Sequence, residues 1–180
     1  MNFKYITINL ILFFSISYCS KIIDRTEYEI NNYFPKLISL DWKIHKIKKQ
    51  SSKNIQNRVT QKFFRKEVNT WMIVNDDSSK FYAVLDNVKG KSLPITFLTI
   101  YNIDLRIIHV SIIKYREAYG GEIRNQSWLN QFITFNDSSN YKVGNKISNI
   151  SGATISVNSI SKGIRKLSML IDEIIINFDE

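Results

Sequence analysis

The fold of this chain is decided near its carboxyl end, by the stretch SGATISVNSISKGIRKLSMLIDEIIINF at residues 151–178. Apolar residues recur there at the spacings of three and four that mark one face of an α-helix. They are Val157, Ile160, Ile164, Leu167, Ile171, Ile174 and Phe178. The pattern predicts a single amphipathic helix of about six turns. A coiled coil has the same spacing, but a helix that follows a strand-rich region is favoured to pack on a sheet.

The residues ahead of this helix predict a β-sheet. Runs rich in β-branched and aromatic residues lie at 68–74, 80–88, 93–101 and 105–113, and an extended segment lies at 37–47. Short polar turns separate the runs. They indicate an antiparallel meander, because parallel neighbours need crossovers of about a dozen residues or more.

Shorter elements complete the predicted fold. Helices are predicted at 24–34, which Pro35 ends, and at 127–132, and a polar loop is predicted at 50–54. The predicted fold class is α+β: an antiparallel or mixed β-sheet with short helices and a long C-terminal helix packed on it.

The chain is basic, with 25 Lys and Arg against 16 Asp and Glu and a net charge of +9 over 180 residues. Its 44% hydrophobic content excludes a disordered or collagen-like chain. Nine of the cations fall in the acid-free stretch 42–66: Lys43, Lys46, Lys48, Lys49, Lys53, Arg58, Lys62, Arg65 and Lys66. Such a stretch is typical of a protein that meets a polyanion, and the sequence contains no recognised nucleic-acid-binding motif.

Residues 1–20 are predicted to be an export signal, and residues 21–180 the functional domain. Lys4 precedes an apolar run at 6–16, which is shorter than the roughly 20 residues of a membrane-spanning helix. Cleavage before Ser20 is favoured, and lipid attachment at Cys19 or an uncleaved anchor are the alternatives. Each places the domain outside the cytosol, in the periplasm or on the outer face of the membrane, which argues against nucleic acid as its partner.

Other chemistry has little support in the sequence. Cys19 is the single cysteine, so no intrachain disulfide can form. His45 and His109 are far apart and are interpreted as ordinary surface or core-edge histidines. The motifs of serine hydrolases, zinc metalloproteases and P-loop proteins do not occur. We therefore predict neither a catalytic residue nor a metal site.

The residues that open the predicted C-terminal helix suit a phosphate group. A helix N-terminus presents unpaired backbone amides and the positive end of the helix dipole. Gly152 and Ala153 let the backbone approach a ligand closely, and Ser151, Thr154 and Ser156 add hydroxyls. The alternative is a plain Ser/Thr cap after a glycine turn.

Ser151-Gly152-Ala153-Thr154, opening a long apolar helix in an exported chain, resembles the FMN-binding domain family. Residues 114–121 (KYREAYGG) look like the family's Glu-Thr-Pro-Gly segment, and residues 128–132 (WLNQF) are similar to its short W-x-x-Q-F helix. Residues 33–35 (YFP) look like the end of its N-terminal helix. The family includes flavin-carrying subunits of the sodium-translocating NADH:quinone reductase and of the Rnf electron-transport complex.

The resemblance implies a cofactor, FMN, and a function. In the family, the threonine of this motif carries FMN through a phosphoester made by an exported flavin transferase. The chain would then be an exported, membrane-associated flavoprotein that carries electrons to or from a membrane redox partner. The cofactor-binding residues implied are Thr154 for attachment, Ser151, Gly152 and Ala153 for the phosphate turn, and Glu117, Gly120, Gly121 and Trp128 near the flavin ring or ribityl chain.

Two departures from the family pattern leave a second hypothesis open. Ser148 stands where the family usually has an aspartate, and Ala118-Tyr119 replaces its Thr-Pro. They motivate the alternative of an exported interaction domain of the same fold that has lost covalent flavin. In either case, we expect the basic stretch 42–66 to meet anionic lipid headgroups or an acidic redox partner.

Overall fold

The computed structural model describes residues 21–179, which divide into one unit that ends at Pro35 and one that begins at Lys36. In the first unit, residues 21–33 form helix α1. The Phe34 amide donates to the Ile30 carbonyl at 2.9 Å, just before Pro35. The predicted helix is thus confirmed. The predicted export signal and Cys19 lie outside the described residues.

The second unit is built on a five-stranded sheet whose order is β1-β2-β3-β4-β5. Every neighbouring pair is antiparallel, and the predicted meander is confirmed. The strands are β1 (Leu37–Lys46), β2 (Glu67–Asn75), β3 (Lys80–Lys89), β4 (Pro94–Asn102) and β5 (Ile107–Lys114).

Four helices follow α1 in chain order: α2 (Lys49–Val59), α3 (Gln126–Leu129), α4 (Thr154–Ser168) and α5 (Ile171–Asp179). Short 3-10 turns occupy Gly121–Arg124 and Asn130–Phe132, so the helical turn predicted at 127–132 is confirmed. None of the helices within residues 21–179 is both long enough and apolar enough to cross a membrane.

The polar loop predicted at 50–54 is wrong, because these residues belong to α2. Only two residues of α2, Ile55 and Val59, are buried, so its hydrophobic stripe is too narrow to stand out in the sequence. The helix ends at Thr60, whose left-handed backbone (φ 55°) lets its amide donate to the Gln56 carbonyl.

The C-terminal helix, predicted as one, is divided between α4 and α5. At the break the Leu170 amide donates to the Leu167 carbonyl at 3.0 Å, which tightens the turn. Ser168 is buried there, with its hydroxyl 3.2 Å from that of Tyr101 and 2.9 Å from that of Tyr141. The apolar spacing continues across the break, so both helices keep their buried side toward the core.

Helix α4 lies against β3 and β4 on one face of the sheet. Gly163 permits this close approach: a Cβ there would be 2.6 Å from Val88 Cγ1 and 3.0 Å from Phe97 Cζ. Burying its apolar side fixes the position of α4, and with it the position of Thr154 at its first turn.

The opposite face of the sheet is also apolar at its centre. One cross-strand row runs through Trp42, Trp71, Ala83, Ile100 and His109, one residue from each strand. Trp71, Ala83 and Ile100 are fully buried. The sheet therefore has apolar side chains on both faces. Strands of this kind appear in the sequence as nearly continuous apolar runs, so they could be predicted.

Candidate functional site

Thr154 is the first residue of α4, and its side chain is exposed. The residue before it, Ala153, occupies the N-cap position and supplies no side-chain hydrogen bond. The first amides of a helix have no intrahelical acceptors, and the first turn of α4 contains no acidic residue. The start of α4 can therefore receive an anion next to the Thr154 hydroxyl, which lies 3.4 Å from Asn149 Nδ2.

Gly152 shapes the turn that leads into α4. Its φ of +78° lies in the left-handed region, whereas a Cβ added there would meet nothing within 4 Å. The residue is therefore a glycine because of its backbone conformation and not because of crowding. The turn is closed by the Ala153 amide, which donates to the Ile150 carbonyl at 3.0 Å.

A cavity of about 650 Å³, here called the first cavity, opens beside Thr154. It is lined by residues 91–92, 117–119 and 152–156. These segments come together because antiparallel pairing sets the start of β4 beside the end of β5, with Thr96 opposite Lys114. The cavity thus collects the loop before β4, the loop after β5 and the start of α4.

Glu117 holds two of these loops together. Its Oε1 accepts hydrogen bonds from the amides of Leu93 at 3.0 Å and Ser92 at 2.7 Å. These bonds hold the pKa of the Glu117 carboxyl below its usual value. Gly90 lies so close that a Cβ there would be 2.4 Å from Oε1. Glu117 therefore lines the first cavity, and its carboxylate accepts hydrogen bonds from backbone amides.

Tyr115 connects the loop after β5 to the first turn of α4. Its hydroxyl donates to the Tyr119 carbonyl and lies 3.3 Å from the buried Ser156 hydroxyl. The Tyr119 side chain is 86% exposed at the rim of the first cavity. Sequence reasoning missed Tyr115, Lys91 and Ser92 at this site, although the predicted meander already placed the loops of Lys91 and Tyr115 side by side.

Four of the predicted cofactor-binding residues do not line the first cavity: Ser151, Gly120, Gly121 and Trp128. Ser151 is exposed on the turn before α4. Gly120, with φ +79°, packs beneath that turn: a Cβ there would be 2.9 Å from the Ala153 Cβ. Gly121 packs against Arg124. The structure thus brings Thr154, Gly152, Ala153, Ser156 and Glu117 together and places the others around them.

Trp128 helps to hold the segment that leads to the turn before α4. Its side chain is buried, and its indole N–H donates to the Ser148 carbonyl at 2.8 Å. Gln131 Oε1 accepts from the Ser148 amide, also at 2.8 Å. Two side chains of the WLNQF sequence therefore hold both backbone groups of Ser148, six residues before Thr154.

A second cavity, of about 700 Å³, lies on the other side of Thr154 and Ile155, which line both cavities. Residues 60–64, 87–90 and the exposed side of α4 complete its wall. Its wall includes two aromatic residues, Phe63 and Phe64, and three cations, Lys62, Lys89 and Lys162. Both volumes fall within the roughly 300–1,000 Å³ of small-ligand sites.

These features fit FMN. The helix start and its turn suit the phosphate, the two cavities are lined by aromatic and apolar side chains that suit the ring system, and nearby cations oppose the phosphate charge. No group of three or more His, Cys, Asp or Glu within residues 21–179 could hold a metal ion. His45 and His109 lie on β1 and β5, the two outermost strands of the sheet, and therefore cannot share a site.

Comparison with protein families supports this interpretation. The family model of the FMN-binding domain matches residues 90–168, which include Glu117, Trp128 and the turn before α4. The resemblance inferred from the sequence is confirmed over these residues, and the family implies FMN as the cofactor. No curated protein and no solved structure gave a significant match to the chain.

Proposed function

Because residues 90–168 match the FMN-binding domain family, we propose that the chain is an exported flavoprotein that carries FMN on Thr154 and passes electrons to or from a membrane redox partner. One observation carries the proposal. The exposed Thr154 hydroxyl stands at the first turn of α4, in contact with two cavities. Its position allows a phosphate on Thr154 to lie at the helix start while the attached ring system occupies a cavity.

The residues of the site have distinct tasks in this proposal. The Thr154 Oγ1 forms an ester bond to the phosphorus, the amides of the first turn bind the remaining phosphate oxygens, and Gly152 keeps the backbone open. A flavin transferase would use an activated flavin pyrophosphate as donor. The pyrophosphate P–O bond breaks, the nucleotide leaves with the electron pair, and the hydroxyl proton passes to solvent. Once bound, FMN itself supplies the redox chemistry.

The test is co-expression of the full chain with a flavin transferase, followed by denaturing electrophoresis and intact-mass measurement. The expected result is a fluorescent band and a mass gain of one FMN less one water. Thr154→Ala abolishes both, and Thr154→Ser retains them in part because it keeps a hydroxyl. Ser138→Ala, which removes an exposed hydroxyl away from both cavities, is the matched control and should carry as much FMN as the wild type.

Other outcomes of this experiment separate the alternatives. A wild-type chain of unmodified mass contradicts the covalent attachment. Saturable FMN binding by that unmodified chain would then indicate a reversible flavoprotein. A colourless chain, even with transferase and excess FMN, would favour an exported interaction domain of the same fold.

The membrane association rests on the basic stretch 42–66. Eight of its nine cations are exposed. Lys43 is half-buried, with its ammonium 4.9 Å from the Phe178 ring centre and its proton donated to the Asn177 carbonyl at 3.2 Å. The exposed eight supply the charge for contact with anionic lipid headgroups.

A further inference from the structure

A third cavity, here called the cationic cavity, has a volume of about 600 Å³ and lies on the outer side of α4. Its wall comes from residues 58–60 at the end of α2, residues 139–143 and the part of α4 between Asn158 and Arg165. Four cations line it, Arg58, Lys142, Lys162 and Arg165, and none of its lining residues is acidic. We propose that this cavity is a binding site for a phosphate-bearing polyanion.

The four cations lack acidic partners. Within residues 21–179 none of them forms an ion pair. Lys162 donates only to a neutral group, the Thr60 hydroxyl, at 3.1 Å. Arg165 is half-buried, and its Nε is a buried donor without a hydrogen-bond partner in the described part of the chain. A buried donor of this kind is costly unless a ligand satisfies it.

Helix dipoles do not account for this much positive charge. Arg58 lies in the last turn of α2 and Arg165 in the last turn of α4, where cations offset the negative helix ends. Each helix end is equivalent to roughly half a negative charge, so two ends offset about one of the four cations. About three positive charges remain, which is more than a single carboxylate would neutralise.

The neutral groups of the wall are largely committed to other bonds. Burial raises the pKa of the Tyr141 phenol, so it stays uncharged, and its hydroxyl donates to the Asn136 carbonyl at 3.0 Å. The Ser161 hydroxyl donates to the Val157 carbonyl at 2.8 Å. The ligand is therefore bound by the guanidinium groups of the two arginines and the ammonium groups of the two lysines. Each guanidinium can bind two phosphate oxygens at once.

The cationic cavity adjoins the second cavity without reaching Thr154. Thr60, Asn158 and Lys162 line both cavities. Lys162 follows Thr154 by eight residues, which is about 12 Å along α4. The inference rests on these cations alone and does not depend on the proposed function.

The test is calorimetric titration of the full 180-residue chain, without flavin, with inorganic pyrophosphate at low salt. Saturable binding is expected in the wild type, with the cationic cavity, which is lined by four cations, as a tighter site than the start of α4. The double variant Arg58→Gln/Arg165→Gln should bind roughly tenfold more weakly or worse, the loss expected for charge-assisted hydrogen bonds. The control Lys80→Gln/Lys146→Gln removes as much charge from exposed residues outside the cavity and should bind within about twofold of wild type.

Two results would overturn the site: no saturable binding to the wild type, or equal weakening in both double variants. Thermal unfolding checks that each variant is folded, and the exposed Lys142→Gln replaces the double variant if the latter is not. Competition identifies the source of the phosphate. In the variant Lys46→Gln/Lys49→Gln/Lys53→Gln, which weakens the basic stretch outside the cavity, a lipid headgroup site predicts that phosphatidylglycerol vesicles still weaken pyrophosphate binding whereas phosphatidylcholine vesicles do not. A site for a soluble ligand predicts no effect of either.

Discussion

At the scale of single residues, Gly152 is required for its backbone conformation and not because space is short. Replacing it with alanine introduces no clash, because the space around its Cβ position is open. The φ of +78° should still cost about 1–2 kcal/mol of unfolding free energy in Gly152→Ala. If the variant relaxes this strain by turning the backbone, the start of α4 changes and FMN labelling falls. Urea unfolding and flavin fluorescence measure the two effects.

Gly144 provides a matched control for this prediction. It has a similar φ of +84° and equally open space, and it lies outside the cavities described here. Gly144→Ala should lose a similar amount of stability and keep its FMN labelling. Equal loss of labelling in both variants would show that the effect reflects general destabilisation.

Single residues also show how much of the site was legible in the sequence. The turn before α4 could be predicted because its glycine and hydroxyl residues are contiguous. Glu117 was identified through the family resemblance. Its hydrogen bonds to the amides of Ser92 and Leu93 could not be predicted, because these residues lie 25 and 24 positions before it in the sequence. The supporting role of Trp128 was equally hidden, because its indole contacts a backbone carbonyl that no side-chain pattern marks.

At the scale of secondary-structure elements, the buried pair between Lys166 of α4 and Asp86 of β3 joins helix to sheet. The Lys166 Nζ lies 3.3 Å from Asp86 Oδ2, and both side chains are almost completely buried. The ammonium also donates to the Lys62 carbonyl at 3.1 Å and lies 4.6 Å from the Phe63 ring centre. Lys166 therefore anchors α4 to the sheet and to the loop that follows α2.

Lys166→Met should lower the unfolding free energy by about 3–5 kcal/mol, because Asp86 is left buried without its cation. Burial already raises the pKa of Asp86, and the attraction of Lys166 opposes that rise. Without Lys166, the folded variant holds the Asp86 proton more tightly than the unfolded chain does. Its stability should therefore increase as pH falls from the raised pKa toward the unfolded value of about 3.9.

Denaturant titrations over a range of pH measure this effect. The double variant Asp86→Asn/Lys166→Met should recover much of the lost stability and should not share the stabilisation at low pH. A Lys166→Met variant as stable as the wild type at neutral pH would show that the pair does not anchor α4.

The elements also show which parts of the fold could be predicted from sequence patterns and which could not. The strands were predictable because their apolar runs and polar turns are local. Helix α2 was not, because only Ile55 and Val59 of its eleven residues are buried. The break between α4 and α5 was hidden as well, since neither glycine nor proline marks it and Ser168 meets the hydroxyls of Tyr101 and Tyr141 only in the folded chain.

At the scale of the whole molecule, the net charge of +9 is matched by the nine cations of the acid-free stretch 42–66. This stretch can therefore attract an anionic membrane surface. We expect the chain to bind vesicles that contain phosphatidylglycerol at low salt. The triple variant Lys46→Gln/Lys49→Gln/Lys53→Gln should bind roughly a hundredfold more weakly, at about 1 kcal/mol for each lysine near the membrane. Vesicle flotation measures the bound fraction, and added salt should reduce wild-type binding.

The control for this prediction is the triple variant Lys80→Gln/Lys89→Gln/Lys146→Gln, which has the same net charge but leaves the basic stretch intact. It should bind vesicles nearly as well as the wild type. If both triple variants lose binding equally, the interaction reflects overall charge and the basic stretch has no special part in it.

The meander also leaves two outer strands, β1 and β5, each with one edge that pairs with no other strand of this sheet, and such an edge can recruit a strand from another molecule. On β5, Ile107 exchanges backbone hydrogen bonds with Thr134 and Phe135, and the Gln126 side chain donates to the Val110 carbonyl. On β1, the register shifts between Leu37 and Ser39, and Lys46 adds an exposed charge. Irregularity and like-charge repulsion on one edge, and a covering segment on the other, thus protect the sheet against edge-to-edge aggregation.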